Sequence, residues 1–526
     1  MRDRIFSSAF YQMTLNGGGG KALRFVPRDP WAGEAEIGLA ILRGEFQLGP
    51  QKAVLGSFGF IPETVGPRAL AALHGYSWLR DLRASSDDNA AARARELTDS
   101  WLEWHSRWDA VAWRTAPLAE RLTAWLYHFD FLSAAADPAF VERLTASLTA
   151  QARHLRRAKP EHPLSAEAFR VIKARLYCDL CLPGFEKRLG ADLDSLEKEI
   201  GRQLWPDGGQ IERNPEALAQ VLEDLLEIRA TLLDARQDVP QTLQTAIDRI
   251  VPLLRALRHG DGQLALFNGG TPGRRPRLDA VFAQTKSRGK PLTSAPHSGF
   301  HRLAAGRTVL IVDAGAPPVA GADTDAHAGT LSFEMSVGKD RVIVNCGAYP
   351  EGGGRWSRAL RTTAAHSTLV VDDTNSAEIH ETGGIGRRPS SVDATRRESD
   401  GSLFLEASHN GYLRRHGLSH RRALFLSADG ADLRGEDELT GTGDKPFAVR
   451  FHLHPRVHAS LLPDGGGVLL KVGSGAGWRF RASGGEVTLE ESIYAGDGFP
   501  RRTEQIVVSG ATEKGAALVK WRFNRT

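Results

Sequence analysis

The chain has 526 residues, 41% hydrophobic and 25% charged, which describes a globular protein too long for a single ordinary core. Its 67 basic residues face 63 acidic ones, so the formal net charge of +4 gives no reason to expect a nucleic-acid partner. Three cysteines cannot build a disulfide framework, and no window approaches the ~20 apolar residues of a membrane span.

Residues 1–63 read as an extension leading into a helical domain. Their first stretch, MRDRIFSSAFYQMTLNGGGG, carries basic residues without a sustained apolar run, a poor secretory signal. That favours a cytoplasmic location, with the periplasm or cell envelope as the alternative. Residues 64–258 follow a helical period, with helices expected around 65–82, 88–107, 117–133, 138–158, 165–182 and 190–204. In ALAQVLEDLLEIRATLLDA, Leu218, Val221, Leu222, Leu225, Ile228, Leu232 and Leu233 share a face, and Asn214 caps the helix ahead of Pro215. Helices joined by short loops with no clean repeat predict an (α/α) toroid or bundle. Cys178 and Cys181 form a CxxC without a second pair and read as core. Most tryptophans fall here (Trp78, Trp101, Trp104, Trp108, Trp113, Trp125), mainly as core residues, with one or two free to stack on a sugar.

Residues 259–294 are rich in Gly, Pro and Arg and read as a linker. From 295 to 526 the period becomes two. Leu331, Phe333, Met335 and Val337 share one face of LSFEMSV, and Ser332, Glu334 and Ser336 take the other. A turn at 338–340 leads into RVIVNC, a register that sets Asn345 opposite Phe333. Strands punctuated by Gly, Asp and Ser continue to the end, as in an antiparallel β-sandwich. In FHLHPRVH, His452 and His454 point to one face, as half-buried polar positions or a second metal site. The fold class expected is therefore multidomain α and β, a toroid followed by a sandwich.

The segments DAHAGTLSFEMSVGKDRVIVNCGAY and RALRTTAAHSTLVVDD, with WRTAPLAERLTAWLYH and PDGGQIERNP in the helical half, resemble the heparinase II/III-like family. The likeness covers most of the chain and is nearest to a bacterial branch distinct from the lyases of known substrate. It implies the toroid-plus-sandwich fold and a polysaccharide lyase that cleaves uronate glycans by β-elimination. That chemistry needs a group to neutralise the uronate carboxylate, a base for the C5 proton and an acid for the leaving oxygen. Against the family pattern, Ala217 stands where a tyrosine is expected, and the Asn-His pair is missing, with His162 the nearest histidine. Asp325 replaces the first histidine of a His-x-His-x-Asp run. The resemblance also implies a structural zinc, with His327, Asn345 and His366 as ligands, although an amide is a poor substitute for the family's aspartate.

Tyr349, Asp325 and His162 are thus the catalytic candidates. Gln210, Glu212, Arg213 and Asn214, in a Gly-rich loop before a helix, and Arg358 and Arg361, suited to a carboxylate, are the substrate-binding candidates. The blander reading makes these a cap, a packed tyrosine and solvated charges. Three functions compete. The first, narrowly favoured, is a lyase acting on an anionic, uronate-containing polysaccharide. The second is a catalytically altered glycan-binding or envelope-associated protein. The weakest is a hydrolase pairing Asp325 with Glu212 or Glu334. A homodimer is compatible with each.

Overall fold

The computed structural model describes residues 2–17, 22–49, 51–55, 65–287, 289–349 and 353–526. The chain divides into two compact units, Met1–Arg202 with Val221–Ile247, and Gln203–Gln220 with Asp248–Thr526.

The first unit is helical. Its main helices are Ala90–His105, Thr115–Tyr127, Pro138–Arg157, Ala166–Cys181 and Leu189–Gln203, with most of Pro215–Asp234 and the first half of Gln241–Ala256. Sequence chemistry sets their starts. The Asp137 carboxylate accepts from Ala139 N–H ahead of Pro138, and the Ser165 hydroxyl accepts from Glu167 N–H. Two helices expected as single rods are broken. The first splits into Pro67–Gly75 and Leu79–Ala84 because Tyr76 adopts a left-handed φ of 62°. The other ends at Tyr127 and restarts at Phe129. Trp101 and Trp125 pack edge to face at 5.2 Å, and the buried Arg121 guanidinium lies 4.2 Å from the Trp101 ring centre. Trp78, Trp101, Trp113 and Trp125 are core, whereas Trp104 is 63% exposed.

The second unit holds two antiparallel sheets. One runs, in spatial order, Glu486–Tyr494, Arg501–Ala511, Pro446–Leu453, Asp340–Val344, Phe333–Val337, Thr308–Asp313, Phe300–Ala305 and Ser294–Ala295, with Leu369–Val371 also pairing with Pro446–Leu453. The other runs His458–Leu461, Gly467–Lys471, Gly477–Ser483, Ala516–Arg525, Asp432–Gly441, Leu418–Leu426, Ser402–His409 and Val392–Ser399. Their inner faces share one apolar core, in which Phe333 stacks on Trp521 at 5.8 Å and Phe451 meets the same indole at 4.9 Å. Only glycine fits at Gly435, where a Cβ would lie 2.1 Å from the Trp521 ring.

Three details refine the sequence expectations. The turn after Val337 is tighter than 338–340, since Val337 pairs with Asp340. A bulge between Met335 and Ser336 then brings Met335 opposite Ile343. The strand starts at Phe333, because Leu331 turns left-handed at φ 64°. Within 259–294, read as a linker, Arg275–Thr285 is a helix and Leu264–Phe267 are buried.

Candidate functional site

The family-like histidines lie in the loops that lead into Phe333–Val337 and Leu369–Val371, and both are buried. His327 Nδ1 lies 3.0 Å from His366 Nε2, and His366 Nδ1 lies 2.7 Å from the Thr362 carbonyl. A carbonyl can only accept, so His366 carries its proton on Nδ1 and its Nε2 accepts from His327 Nδ1–H. Burial holds both imidazoles neutral, with His327 well below its ordinary value and His366 lowered to about 4. Gly329 lets the rings approach, for a Cβ there would sit 2.6 Å from His366 Cδ2.

Asn345 lies against the same segment but spends its amide on backbone. Its Nδ2 donates to Leu266 C=O at 3.2 Å, and its Oδ1 accepts Ser367 N–H at 3.0 Å. Beneath it, Glu334 accepts Asn345 N–H at 2.9 Å and pairs with buried His259 at 2.9 Å, whose other nitrogen meets Ser336 Oγ at 2.9 Å. The polar face of LSFEMSV is therefore as buried as the apolar one. The neighbouring His366–Ser367 segment is anchored by Arg422, which donates to Leu331 C=O and Ser367 C=O at 2.8 Å each while pairing with Asp437.

The donor set can be tested against a zinc centre. His327 Nδ1 and His366 Nε2 are the nitrogens a metal would share, and both atoms of the Asn345 amide are engaged elsewhere. Among the described residues, no His, Cys, Asp or Glu joins the two imidazoles to make a three-donor group. Two nitrogens fall short of the three protein ligands that even an open zinc site uses. The residues present do not make up that centre. Among the described residues one such group is found, His74, His105 and Asp109 in the first unit. There Trp101 Nε1–H already occupies His74 Nδ1 at 3.0 Å.

The Gly-rich loop is likewise committed to structure. Arg213, at φ 52°, donates to Ser298 C=O and Ala316 C=O at 2.7 Å each and forms a buried ion pair with Asp313. Gln210 bonds Gln203 at 2.8 Å and Glu212 at 3.0 Å. Asn214 caps its helix, accepting from Glu216 N–H and Ala217 N–H. Ala217 is buried in the first turn. Asn268 joins this loop to the histidines: its Nδ2 donates to Arg213 C=O at 3.1 Å, and its Oδ1 accepts His327 N–H at 3.2 Å.

The remaining candidates scatter. Arg361 is buried and donates to Ala326 C=O and Gly384 C=O at 2.8 and 3.0 Å, whereas Arg358 is exposed beside Glu381 at 3.1 Å. Tyr349 is half-buried between Trp356 and Phe499. Asp325 is exposed. His162 is an exposed residue of the first unit whose backbone N–H is held by Glu167. His452 is buried against Ser492 at 2.7 Å and Ala364 C=O at 3.0 Å, and His454 packs on Tyr494. Cys178 and Cys181 are buried thiols that burial raises far above the reactive range.

The sequence missed Asn268, His259, Glu334 as a buried acid, and Arg422. Asn268 had one signal, the Asn-Gly-Gly run that suits its left-handed φ of 48°.

Comparison with known proteins places these features. The model described as "Heparinase II/III N-terminus" matches residues 85–287, and "Heparinase II/III-like, C-terminal" matches 287–522. The FtsZ-localized protein C of Caulobacter vibrioides (strain NA1000 / CB15N) is 33% identical over 532 residues, covering 95% of this chain and 89% of that protein. The crystal structure of heparinase III superposes with a TM-score of 0.77 at 15% identity, over 95% of this chain and 86% of that one. A heparan sulfate lyase mutant from Pedobacter heparinus gives 0.64 at 15%, over 98% and 87%. At these identities the superpositions establish the fold, a toroid followed by a β-sandwich. No helix among the described residues is long and apolar enough to cross a membrane.

Proposed function

The chain belongs to the heparinase II/III-like family, and from that premise we propose that it is a member that binds rather than cleaves. In this reading it keeps the polysaccharide-lyase fold as a platform and works in association with the FtsZ-based division apparatus. One observation carries the reading. The residues that the family resemblance suggests for elimination are either absent, with the buried Ala217 where it implies a tyrosine, or occupied by the fold, as in Arg213, Gln210 and Arg361. An arginine already paired to a buried carboxylate has no free fork for a uronate, and releasing it would strand Asp313. The relative named for its localisation with FtsZ, similar over nearly the whole chain, supports the division role.

The lyase reading keeps one point in its favour, the two neutral imidazoles of His327 and His366. His327 Nε2 retains a lone pair and could accept a proton. No zinc enters the proposed function, and an uronate-containing glycan is at most a bound partner.

The test is a fluorescent fusion expressed from the native locus, together with co-sedimentation of purified protein with FtsZ polymers. The expected result is a midcell band that tracks the FtsZ ring and depends on it. A diffuse signal throughout the cell cycle, with no co-sedimentation, would overturn the division role.

A further inference from the structure

In the second unit, away from the histidine pair, a small cavity of about 130 Å³ opens where the turn at Gly338–Lys339 meets the segment His454–Arg456 and the end of the Glu486–Tyr494 strand. Lys339, Arg341, Arg456, His454 and Tyr494 line it. Neither the lyase reading nor the binding reading uses any of them.

The polar accounting of this cavity is unbalanced toward donors. Arg341 is buried and gives Nε to Asp261 at 2.8 Å and Nη2 to Leu264 C=O at 2.9 Å. Its Nη1 has essentially no exposed surface and lies within ion-pair distance of Glu334 at 3.8 Å, so Arg341 offers the space its charge rather than a free donor. His454 Nδ1 accepts Arg456 N–H at 3.3 Å, which leaves Nε2 as the protonated nitrogen of a neutral ring. Burial and the Arg341 charge lower this imidazole to about 4, and burial raises the Tyr494 hydroxyl, so each remains a neutral donor. Lys339 and Arg456 are exposed at the mouth and form no ion pair among the described residues.

The three carboxylates on the wall are already engaged. Asp261 binds Arg341 and accepts Gln263 N–H at 2.9 Å, Asp497 pairs with Arg501 at 3.2 Å, and Asp340 accepts Ser474 N–H at 3.2 Å. Two fully charged side chains and two neutral donors therefore line a space the size of a small polyatomic ion, to which Arg341 adds its charge.

We propose that this cavity binds a phosphoryl group, as free phosphate or a phosphate monoester. Two exposed cations and two neutral donors match the double charge and three strong acceptor oxygens of a phosphoryl group, whereas a carboxylate brings one charge and a planar pair of oxygens. The proposal stands independently of the binding function above.

The experiment titrates inorganic phosphate into the full chain by isothermal calorimetry at fixed ionic strength, with sodium acetate and sodium chloride as comparison ions. The expected result is saturable one-to-one phosphate binding that acetate does not match. Lys339→Ala and Arg456→Ala, both surface changes, should each weaken it by about tenfold or more, the worth of a charge-assisted hydrogen bond. A phosphate monoester, glucose 6-phosphate, separates the two sources by binding tighter or weaker than the free ion. Absence of saturable binding, equal binding of acetate, or undiminished affinity in a variant carrying both substitutions would each overturn the proposal.

Discussion

The second unit holds two polar sites built partly from the same pair of strands, and they differ in what their atoms have left to give. Around His327 and His366, each imidazole, amide and carboxylate with a resolved contact answers another group of the fold. In the cavity beside Arg341, the exposed Lys339 and Arg456 stand without ion-pair partners among the described residues. Residue types that look like a site in sequence can thus be spent inside the protein, and unremarkable ones can be left over. The lesson is to count free donors and acceptors as well as catalytic residue types.

The contrast can be broken by experiment, beginning where the largest effect is expected. Arg213→Ala removes the cation from a buried pair and strands Asp313, which burial already pushes upward. Urea denaturation should show a loss of about 3–5 kcal/mol. A loss under 1 kcal/mol would mean that Arg213 is free for a ligand after all. His366→Ala comes next, leaving His327 Nδ1–H without its acceptor, for a loss of about 1–3 kcal/mol.

Acidity probes the same pair. The folded state keeps His366 near 4, against 6.5 in the open chain, so unfolding takes up a proton between those values. Its contribution to stability is complete above pH 6.5 and is lost as pH falls toward 4. The His366→Ala variant should lose about one proton from the slope of stability against pH in that window. An unchanged slope would place the histidine outside the protected pair.

On the other side of the comparison, Lys339→Ala and Arg456→Ala should change stability by no more than about 0.5 kcal/mol, because both side chains are exposed and lack ion-pair partners among the described residues. The smallest effect is expected from chelation. With two imidazole nitrogens as the only metal-capable donors at the histidine pair among the described residues, EDTA should leave the melting temperature unchanged, and zinc should not raise it. A chelator-induced drop reversed by zinc would show that a further ligand completes the centre.

Much of the architecture was legible because periodicity reports on which face is buried. The cap at Asn214 and the buried helical face from Leu218 to Leu232 follow directly from chain geometry, whereas Leu233 is 60% exposed and both faces of the Phe333–Val337 strand are buried. The break at Tyr76 and the bulge at Met335 were not legible, since each depends on long-range packing that overrides a local pattern. The pairing of His327 with His366 was inferred from resemblance and is observed at hydrogen-bond distance. What no local pattern could reveal is which polar groups are already satisfied. Arg213 meets Asp313 across 100 residues, and Arg361 reaches Gly384 across a folded loop. Neither partner is marked by spacing or composition.

The central claim, a lyase fold whose elimination chemistry has been replaced by internal structure, is tested most directly by one assay. Purified chain, with and without zinc, is incubated with a panel of uronate-containing polysaccharides while the ultraviolet absorbance of unsaturated uronate is followed. The account predicts no increase above the enzyme-free rate on any substrate. A sustained increase that disappears in a folded His366→Ala variant would contradict it and return the histidine pair to catalysis.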